Sequence, residues 1–521
     1  MSLPDDLLRP GLELRETHIS WVFLSAGEVW KVKKPVDLGF LDFTSLENRH
    51  STCEAEVRLN RRLAPNVYRG VVPVRRDNAG RLYVNGGGEG EGELVDWAVH
   101  MTRLPDEDRA DVRLSANRLT DEDIESIATR IARFHDECES NQRTDRFGTV
   151  DVIGGNVREN FEQARSTILD YVSPDQAREI ESWQTRFLRE RVPTFEARVR
   201  AHRIRDGHGD LRLEHVYLDA AGNVTIIDCI EFNERFRFAD VCADVVFLAM
   251  DFARSGRVDL AERFLALYAR EANDFDLYPL VDFYESYRAF VRGKIAAMVA
   301  SNPDTEPEIR ERASKDARRY YLLALASERR SLIPPALIAV GGVIASGKST
   351  IASRLARELA VPVIDADRTR KFLAGVTATS PLPEEPWQGV YSEKFGERTY
   401  EELARRARSV LMTGRPVIVD AAFRSSRHRA AVRTLARELG IPFAFVECRA
   451  DAGVCRERLR HRERGVSDGR LEIFDDFVLK WEPITELTPS EHIVVETTRP
   501  IEETMDVLRD RLPVSFARLT Q

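Results

Sequence analysis

One eight-residue stretch, Gly342-Val-Ile-Ala-Ser-Gly347-Lys348-Ser349, restricts the fold of this 521-residue chain more than any other. It has the spacing Gly-x4-Gly-Lys-Ser/Thr, follows the apolar run Ala336–Val340 and opens a helical pattern at Ser349–Leu359. Glycines so placed let backbone N–H groups turn inward around phosphate oxygens at a helix N-terminus, where the dipole favours anions. The spacing assigns Gly342, Ala345, Ser346, Gly347, Lys348, Ser349 and Thr350 to a nucleotide, with Lys348 reaching its β- and γ-phosphates and Ser349 a Mg²⁺ ion. Four more apolar runs follow, at Val361–Ile364, Val417–Val419, Phe443–Val446 and Ile493–Val495, separated by helical stretches. That alternation predicts βαβ units and a parallel sheet with helices on both faces.

In such sheets the C-terminal ends of the strands face the ligand crevice. The second run closes on Asp365-Ala-Asp367 and the third on Asp420, so three carboxylates are expected near the phosphates. Asp367 is a candidate to orient or deprotonate an acceptor hydroxyl, Asp365 to hold Mg²⁺ through water, and Asp420 to be a further magnesium partner. The competing reading of Asp365 and Asp367 is a helix cap and a solvated turn. Arg458 and Arg462 lie four apart and share a helix face, either as a lid over a transferring phosphoryl group or as a solvated basic surface. With these motifs, residues 335–521 resemble the small P-loop kinases, the group containing shikimate, gluconate and polynucleotide kinases. The resemblance implies ATP-dependent phosphorylation of a small hydroxyl compound, with Asp367 in the acceptor-binding role.

The first 330 residues have another pattern. Alternating segments at His18–Leu24, Glu28–Lys34, Val71–Arg75 and Trp97–Leu104 predict strands, with a helix at Cys53–Leu63 and a flexible loop at Asn85–Gly92. Helical spacing begins at Asp121 and is interrupted by a strand–loop–strand island at Gly207–Phe232. The island contains His208-Gly209-Asp210-Leu-Arg-Leu-Glu-His215 and then Ile226-Ile227-Asp228. It resembles the loop of the aminoglycoside-phosphotransferase-like kinases, in which HGDxxxxN precedes two apolar residues and an Asp. The resemblance implies that Asp210 is the catalytic base and Asp228 the main metal ligand.

The Asn position of that loop is His215. Imidazole suits softer metals than Mg²⁺, which leaves four outcomes open: weaker Mg²⁺ binding, a preference for Mn²⁺, action through water, or loss of transfer. Only nine of the chain's 77 basic residues are lysines, and two of them, Lys31 and Lys33, share one face of a strand. By the same resemblance Lys31, or alternatively Lys33, is the phosphate lysine, Glu56 its partner, and Met101, on a hinge-like strand, a nucleotide-binding residue. As a whole, the chain resembles bacterial fusions of an aminoglycoside-phosphotransferase-like domain with a P-loop kinase domain.

The expected fold is therefore α/β and α+β in two domains: a bilobal, protein-kinase-like residues 1–330 (small lobe to about 104) and a P-loop domain at 336–521, joined by 331–335. A net charge of -9 argues against a general nucleic-acid or anionic-membrane partner, and a small hydroxyl acceptor is the expected one. Six scattered cysteines without metal spacing, and no signal-like or membrane-length apolar run, make a cytoplasmic protein the expectation.

Overall fold

Strand β6 (Glu93–Thr102) sends successive side chains to opposite faces and so organises the N-terminal sheet. The computed structural model describes residues 7, 11–37, 39, 41–84, 92–303, 305–325, 331–378, 380, 388–461 and 471–514. The other strands of this sheet are β1 (Glu13–Glu16), β2 (Ser20–Leu24), β3 (Glu28–Lys33), β4 (Tyr68–Arg76) and β5 (Leu82–Val84). They run antiparallel in the order β1-β2-β3-β6-β4-β5. On one face Ala98 packs with Phe23, Val32, Val74 and Leu82. On the other, Val99 and Met101 meet Val29, Tyr68, and Cys53 and Val57 of helix α1 (Leu46–Asn60). Lys31 and Lys33 alternate with Val32, so they point to the α1 side.

Helix α1 differs from the expected Cys53–Leu63. It starts seven residues earlier because the Ser45 side chain accepts from the Asn48 N–H as an N-cap, and its polar first turns (Leu46–Thr52) carry no apolar stripe. Strands β1 and β5, both short, were not expected. The loop expected at 85–92 lies outside the described residues except for Gly92, as does the end of the expected helical run, 326–329.

Two short antiparallel pairs frame the island: β7 (Ile204–Asp206) with β10 (Phe238–Asp240), and β8 (Val216–Leu218) with β9 (Val224–Ile226). Helix α2 (Asp121–Glu137) begins on a Thr120–Asp123 capping box. Helix α3 (Val241–Arg254) is buried along most of its length.

The chain separates into two compact units: residues 1–158 with 188–251, and 159–187 with 252–521. The second unit thus includes α4 (Val258–Glu271) and α5 (Tyr278–Ser301) as well as the P-loop region. Its sheet has five parallel strands, β11 (Leu337–Gly341), β12 (Val363–Asp365), β13 (Val417–Asp420), β14 (Phe443–Arg449) and β15 (His492–Glu496), in the order β12-β13-β11-β14-β15. Every residue of β11 is buried. Its neighbours β13 and β14 lie on opposite sides, so the strand order switches there and a crevice opens beyond its C-terminal end. Helix α6 (Lys348–Leu359) lays Ile351 and Leu355 on one face of the sheet, against Ile338 and Val340. Helices α8 (Glu393–Leu411) and α9 (Ser426–Glu438) bury Leu403, Val410, Val432 and Leu435 and pack on β13 and β14, so helices clothe both faces as expected.

Candidate active sites

The crevice beyond β11 holds the first site. Gly342 has φ +146°, and a Cβ there would collide with the Cys448 carbonyl and come within 2.6 Å of Ser346 Oγ. Only glycine fits that turn. The loop continues through Ala345 and Gly347, both at positive φ (61° and 87°), and runs directly into α6. Lys348 Nζ donates to the Val343 carbonyl at 2.9 Å, folded back across the loop. Ser346 is fully buried, and its Oγ has no hydrogen-bond partner among the described residues.

Three carboxylates stand beside the loop. Asp365 and Asp420 end adjacent parallel strands in register. Asp365 also N-caps helix α7 (Ala366–Leu373), accepting from the Arg368 N–H at 2.7 Å. Burial, reinforced by the carboxylates of Asp420 and Asp367, pushes the Asp365 carboxyl up to about 8. Burial also raises Asp420, opposed by the Lys348 ammonium and the Ser349 hydroxyl. Two carboxyls that repel each other beside a hydroxyl, Asp420 buried and Asp365 half-buried, are a suitable donor set for a hard divalent cation, completed by phosphate oxygens and water. Among the described residues no three acidic, imidazole or thiol groups form a cage of their own.

A cavity of about 1080 Å³ extends from Lys348 and Ser349 past all three carboxylates. Asp367 lies on α7 and accepts from Arg370 Nη1 at 2.7 Å, and the Arg370 guanidinium stands over the Tyr391 ring at 5.4 Å. Farther along, the Tyr400 and His428 rings stack at 3.7 Å, and His428 Nε2 lies 3.0 Å from Glu397. Buried Phe423 holds φ +50°, an uncommon backbone state for a bulky residue, with its N–H donating to Tyr400 Oη at 2.9 Å. Arg429, fully buried, pins this turn by bonding the Phe423 and Arg424 carbonyls and Glu486. Arg424 lines the same cavity.

Arg458 projects from helix α10 (Ala452–Arg460) onto the P-loop itself, donating to the carbonyls of Ala345 (3.2 Å) and Thr497 (2.8 Å). Arg462 lies outside the described residues. Sequence reasoning missed Arg370, Arg424, Tyr400 and His428. Arg370 was recoverable from its i,i+3 spacing to Asp367; the other three are brought in by tertiary packing alone.

The second site belongs to the first compact unit. Lys31 Nζ is 2.9 Å from Glu56 Oε1 and 2.6 Å from Asp228 Oδ1. Lys33, wholly buried, forms ion pairs with Glu56 Oε2 at 2.6 Å and with Glu231. Both candidate lysines therefore share Glu56, and Lys31 is the one that reaches Asp228. Burial opposes ionisation of Asp228, but Lys31 and His215 outweigh it and hold its carboxyl far below the usual range. The Asp228 side chain is still 42% exposed, so solvent screens those pairings. Its backbone has φ +66°, rare for a residue other than glycine.

His215 lies between the two acids of the loop. Its Nδ1 is 2.9 Å from the Asp210 carbonyl and its Nε2 3.5 Å from Asp228 Oδ2. His208 Nδ1 accepts from the Asp210 N–H at 3.3 Å, and its Nε2 faces the Ile227 carbonyl at 3.0 Å, which fixes the neutral tautomer with the proton on Nε2. Burial pushes the His208 imidazole down to about 4, in keeping with that neutral state. The loop is held from below by Asp244, which accepts from the His208 and Gly209 N–H groups at 2.6 and 2.9 Å. Met101 is buried in the sheet–α1 core. Sequence reasoning quoted Glu231 as part of a pattern but missed its pairing with Lys33, which depends on the fold bringing together residues 198 apart.

Comparison with known proteins finds two successive matches along the chain. Residues 40–284 match the phosphotransferase enzyme family and residues 337–483 match the AAA domain. Uncharacterized proteins of Mycobacterium tuberculosis and Mycobacterium bovis are 32% identical over 464 residues, covering 89% of this chain and 89% of each of theirs. Among solved structures, a sugar kinase from Janibacter is 21% identical, with a TM-score of 0.27, over 36% of this chain and 100% of its own. A gluconokinase from Sinorhizobium meliloti is 22% identical, with a TM-score of 0.26, over 37% of this chain and 95% of its own.

Proposed function

Because this chain belongs to the family in which a phosphotransferase enzyme family domain is fused to a C-terminal AAA domain, we propose that it is an ATP-dependent small-molecule kinase with two nucleotide-binding domains. Each would pass the γ-phosphoryl group of ATP to a hydroxyl of a small metabolite. The observation that carries the reading is the meeting of Lys348, Ser349 and the Asp365–Asp420 pair with Asp367 in one continuous cavity.

In this reading the P-loop amides and Lys348 hold the β- and γ-phosphates, and Lys348 leaves the Val343 carbonyl to do so. Ser349, Asp365 and Asp420 would hold Mg²⁺, which supplies neutralisation of phosphate charge when bound. Asp367, steadied by Arg370, orients the acceptor hydroxyl and takes its proton. Arg458 keeps the P-loop backbone in place, and Arg462 would belong to a lid. At the second site Lys31, aligned by Glu56, would bind phosphate, Asp210 would be the base, and Asp228 with His215 would hold Mg²⁺ or Mn²⁺. Nothing in this chemistry requires a nucleic acid or a membrane, and no helix of the described residues is long and apolar enough to cross one. A cytoplasmic location is part of the proposal.

The reading is tested by ATP turnover with a metabolite extract as acceptor source. Lys348→Ala and Asp210→Asn should each remove part of the transfer, and transfer unchanged in both variants would refute it. A second reading, in which the N-terminal half is a non-catalytic module governing the P-loop half, is favoured by one observation. His215 places an imidazole between Asp210 and Asp228, where an oxygen ligand is expected.

A further inference from the structure

Helix α7 bears Asp367 and begins at Asp365, so its orientation sets the geometry of the proposed acceptor site. The bonds that fix this helix lead to residues 262–282, outside the P-loop segment but inside the same compact unit. Arg368, next to Asp367, directs both Nη atoms at the Glu271 carboxylate (3.4 and 3.2 Å), at the end of α4. Both side chains are about four-fifths buried. Thr369 donates to the Asp365 carbonyl at 2.7 Å and accepts from Arg406 Nη1 at 3.1 Å. That nitrogen also reaches Asn273 Oδ1 at 2.7 Å. Arg406 is buried between the rings of Phe275 (5.6 Å) and Phe372 (5.0 Å), and its Nε donates to Glu402 Oε1 at 2.7 Å, so the guanidinium is held in place.

The same segment anchors the neighbouring walls. Arg405 of α8 forms a fork with Asp276 at 2.8 and 3.0 Å. Arg415, two residues before β13 and its terminal Asp420, bonds Glu262 and Asp282, both at 3.0 Å. Asp365, Asp367 and Asp420 are therefore all supported, one step back, by a stretch whose sequence falls within the phosphotransferase match at 40–284.

We propose that residues 262–282 are a working part of the P-loop site, with Glu271 and Asn273 as positioning residues that set the orientation of the Asp367 helix. The inference rests on the P-loop kinase reading and extends it: the P-loop segment is not self-sufficient, and the helical region preceding it braces, from behind, the helices that carry its acceptor wall. A bidentate guanidinium–carboxylate pair holds orientation as well as distance. A displacement of about 1 Å at a reacting centre can cost on the order of 100-fold in rate.

The test uses the full chain carrying Asp210→Asn, which silences the N-terminal site and serves as the parent, with Mg-ATP as the probe and water as the phosphoryl acceptor. Glu271→Arg and Arg368→Glu should each lower turnover about 10-fold with KM for ATP changed less than about twofold. The double swap, which restores opposite charges, should recover turnover to within about threefold of the parent. Glu271→Gln, which keeps shape and removes charge, provides a milder variant with an expected loss of about threefold. Hydrogen exchange should quicken at 366–373 in the single variants, return in the double, and stay unchanged at 342–349. A merely structural contact would shift stability and ATP affinity together with turnover, in the single variants and in the swap alike. If the unsubstituted chain binds no Mg-ATP, the kinase reading falls and this inference with it. If it binds Mg-ATP and Glu271→Arg and Glu271→Gln both turn over at the parent rate, this inference alone is overturned.

Discussion

Replacing Asp365 by Asn should stabilise the metal-free protein and diminish its response to Mg-ATP. Asn still caps α7 through its side-chain oxygen, so the backbone bond to Arg368 survives. What disappears is a half-buried negative charge beside Asp420 and Asp367. The folded state raises the Asp365 carboxyl from 3.8 to about 8, so between those values the native state binds more protons than the unfolded one. Stability therefore falls as pH rises through this window and levels off above it. About four pH units at 1.36 kcal/mol each set a ceiling of roughly 5–6 kcal/mol. Relaxation and water entry around a buried pair should reduce this several-fold, to about 1–2 kcal/mol.

Scanning calorimetry without metal from pH 5 to 9 should show the variant gaining on the parent as pH rises, by roughly 2–8 °C in Tm at the alkaline end. With Mg-ATP added the variant's advantage should shrink, because the parent gains the P-loop site's full share of ligand stabilisation and the variant gains less of it. A parent–variant difference that stays flat with pH, or an undiminished Mg-ATP response in the variant, would refute the carboxyl-pair account.

Three further outcomes follow from the same geometry. Gly342→Ala forces a side chain into the Cys448 carbonyl at φ +146°, and should weaken ATP binding by at least about 2 kcal/mol in a titration. Arg429→Ala leaves the Phe423 and Arg424 carbonyls and the Glu486 carboxylate without their buried donor, and should cost about 3–5 kcal/mol, seen as a Tm fall of roughly 10 °C. His215→Asn in a Lys348→Ala background should raise Mg²⁺-dependent turnover at the N-terminal site; no rise with either Mg²⁺ or Mn²⁺ would favour the regulatory reading of that half.

Much of the fold was legible wherever chemistry and local period coincide. The P-loop could be read because Gly342, Gly347, Lys348 and Ser349 are fixed by backbone geometry over eight residues, and Asp365 and Asp420 because strand ends in parallel sheets face the ligand. The start of α1 was not legible from apolar spacing, since a single Ser45 cap sets it and its first turns are polar. Glu231, Arg424 and the Tyr400–His428 stack were hidden because long-range packing assembles them. The supports of α7 were hidden for the same reason: Glu271 and Arg368 are 97 residues apart, and nothing local to either marks the pair.

The central claim is that Lys348 and the surrounding amides hold a nucleotide triphosphate with its metal. Calorimetric titration of Mg-ATP into the full chain and into Lys348→Ala tests it most directly. The account predicts saturable binding by the parent and, from the loss of one charge-assisted contact of about 1.5–3 kcal/mol, weakening of the P-loop component by at least about 10-fold in the variant. Identical binding curves for the two proteins, or no binding by the parent with either Mg²⁺ or Mn²⁺, would contradict it.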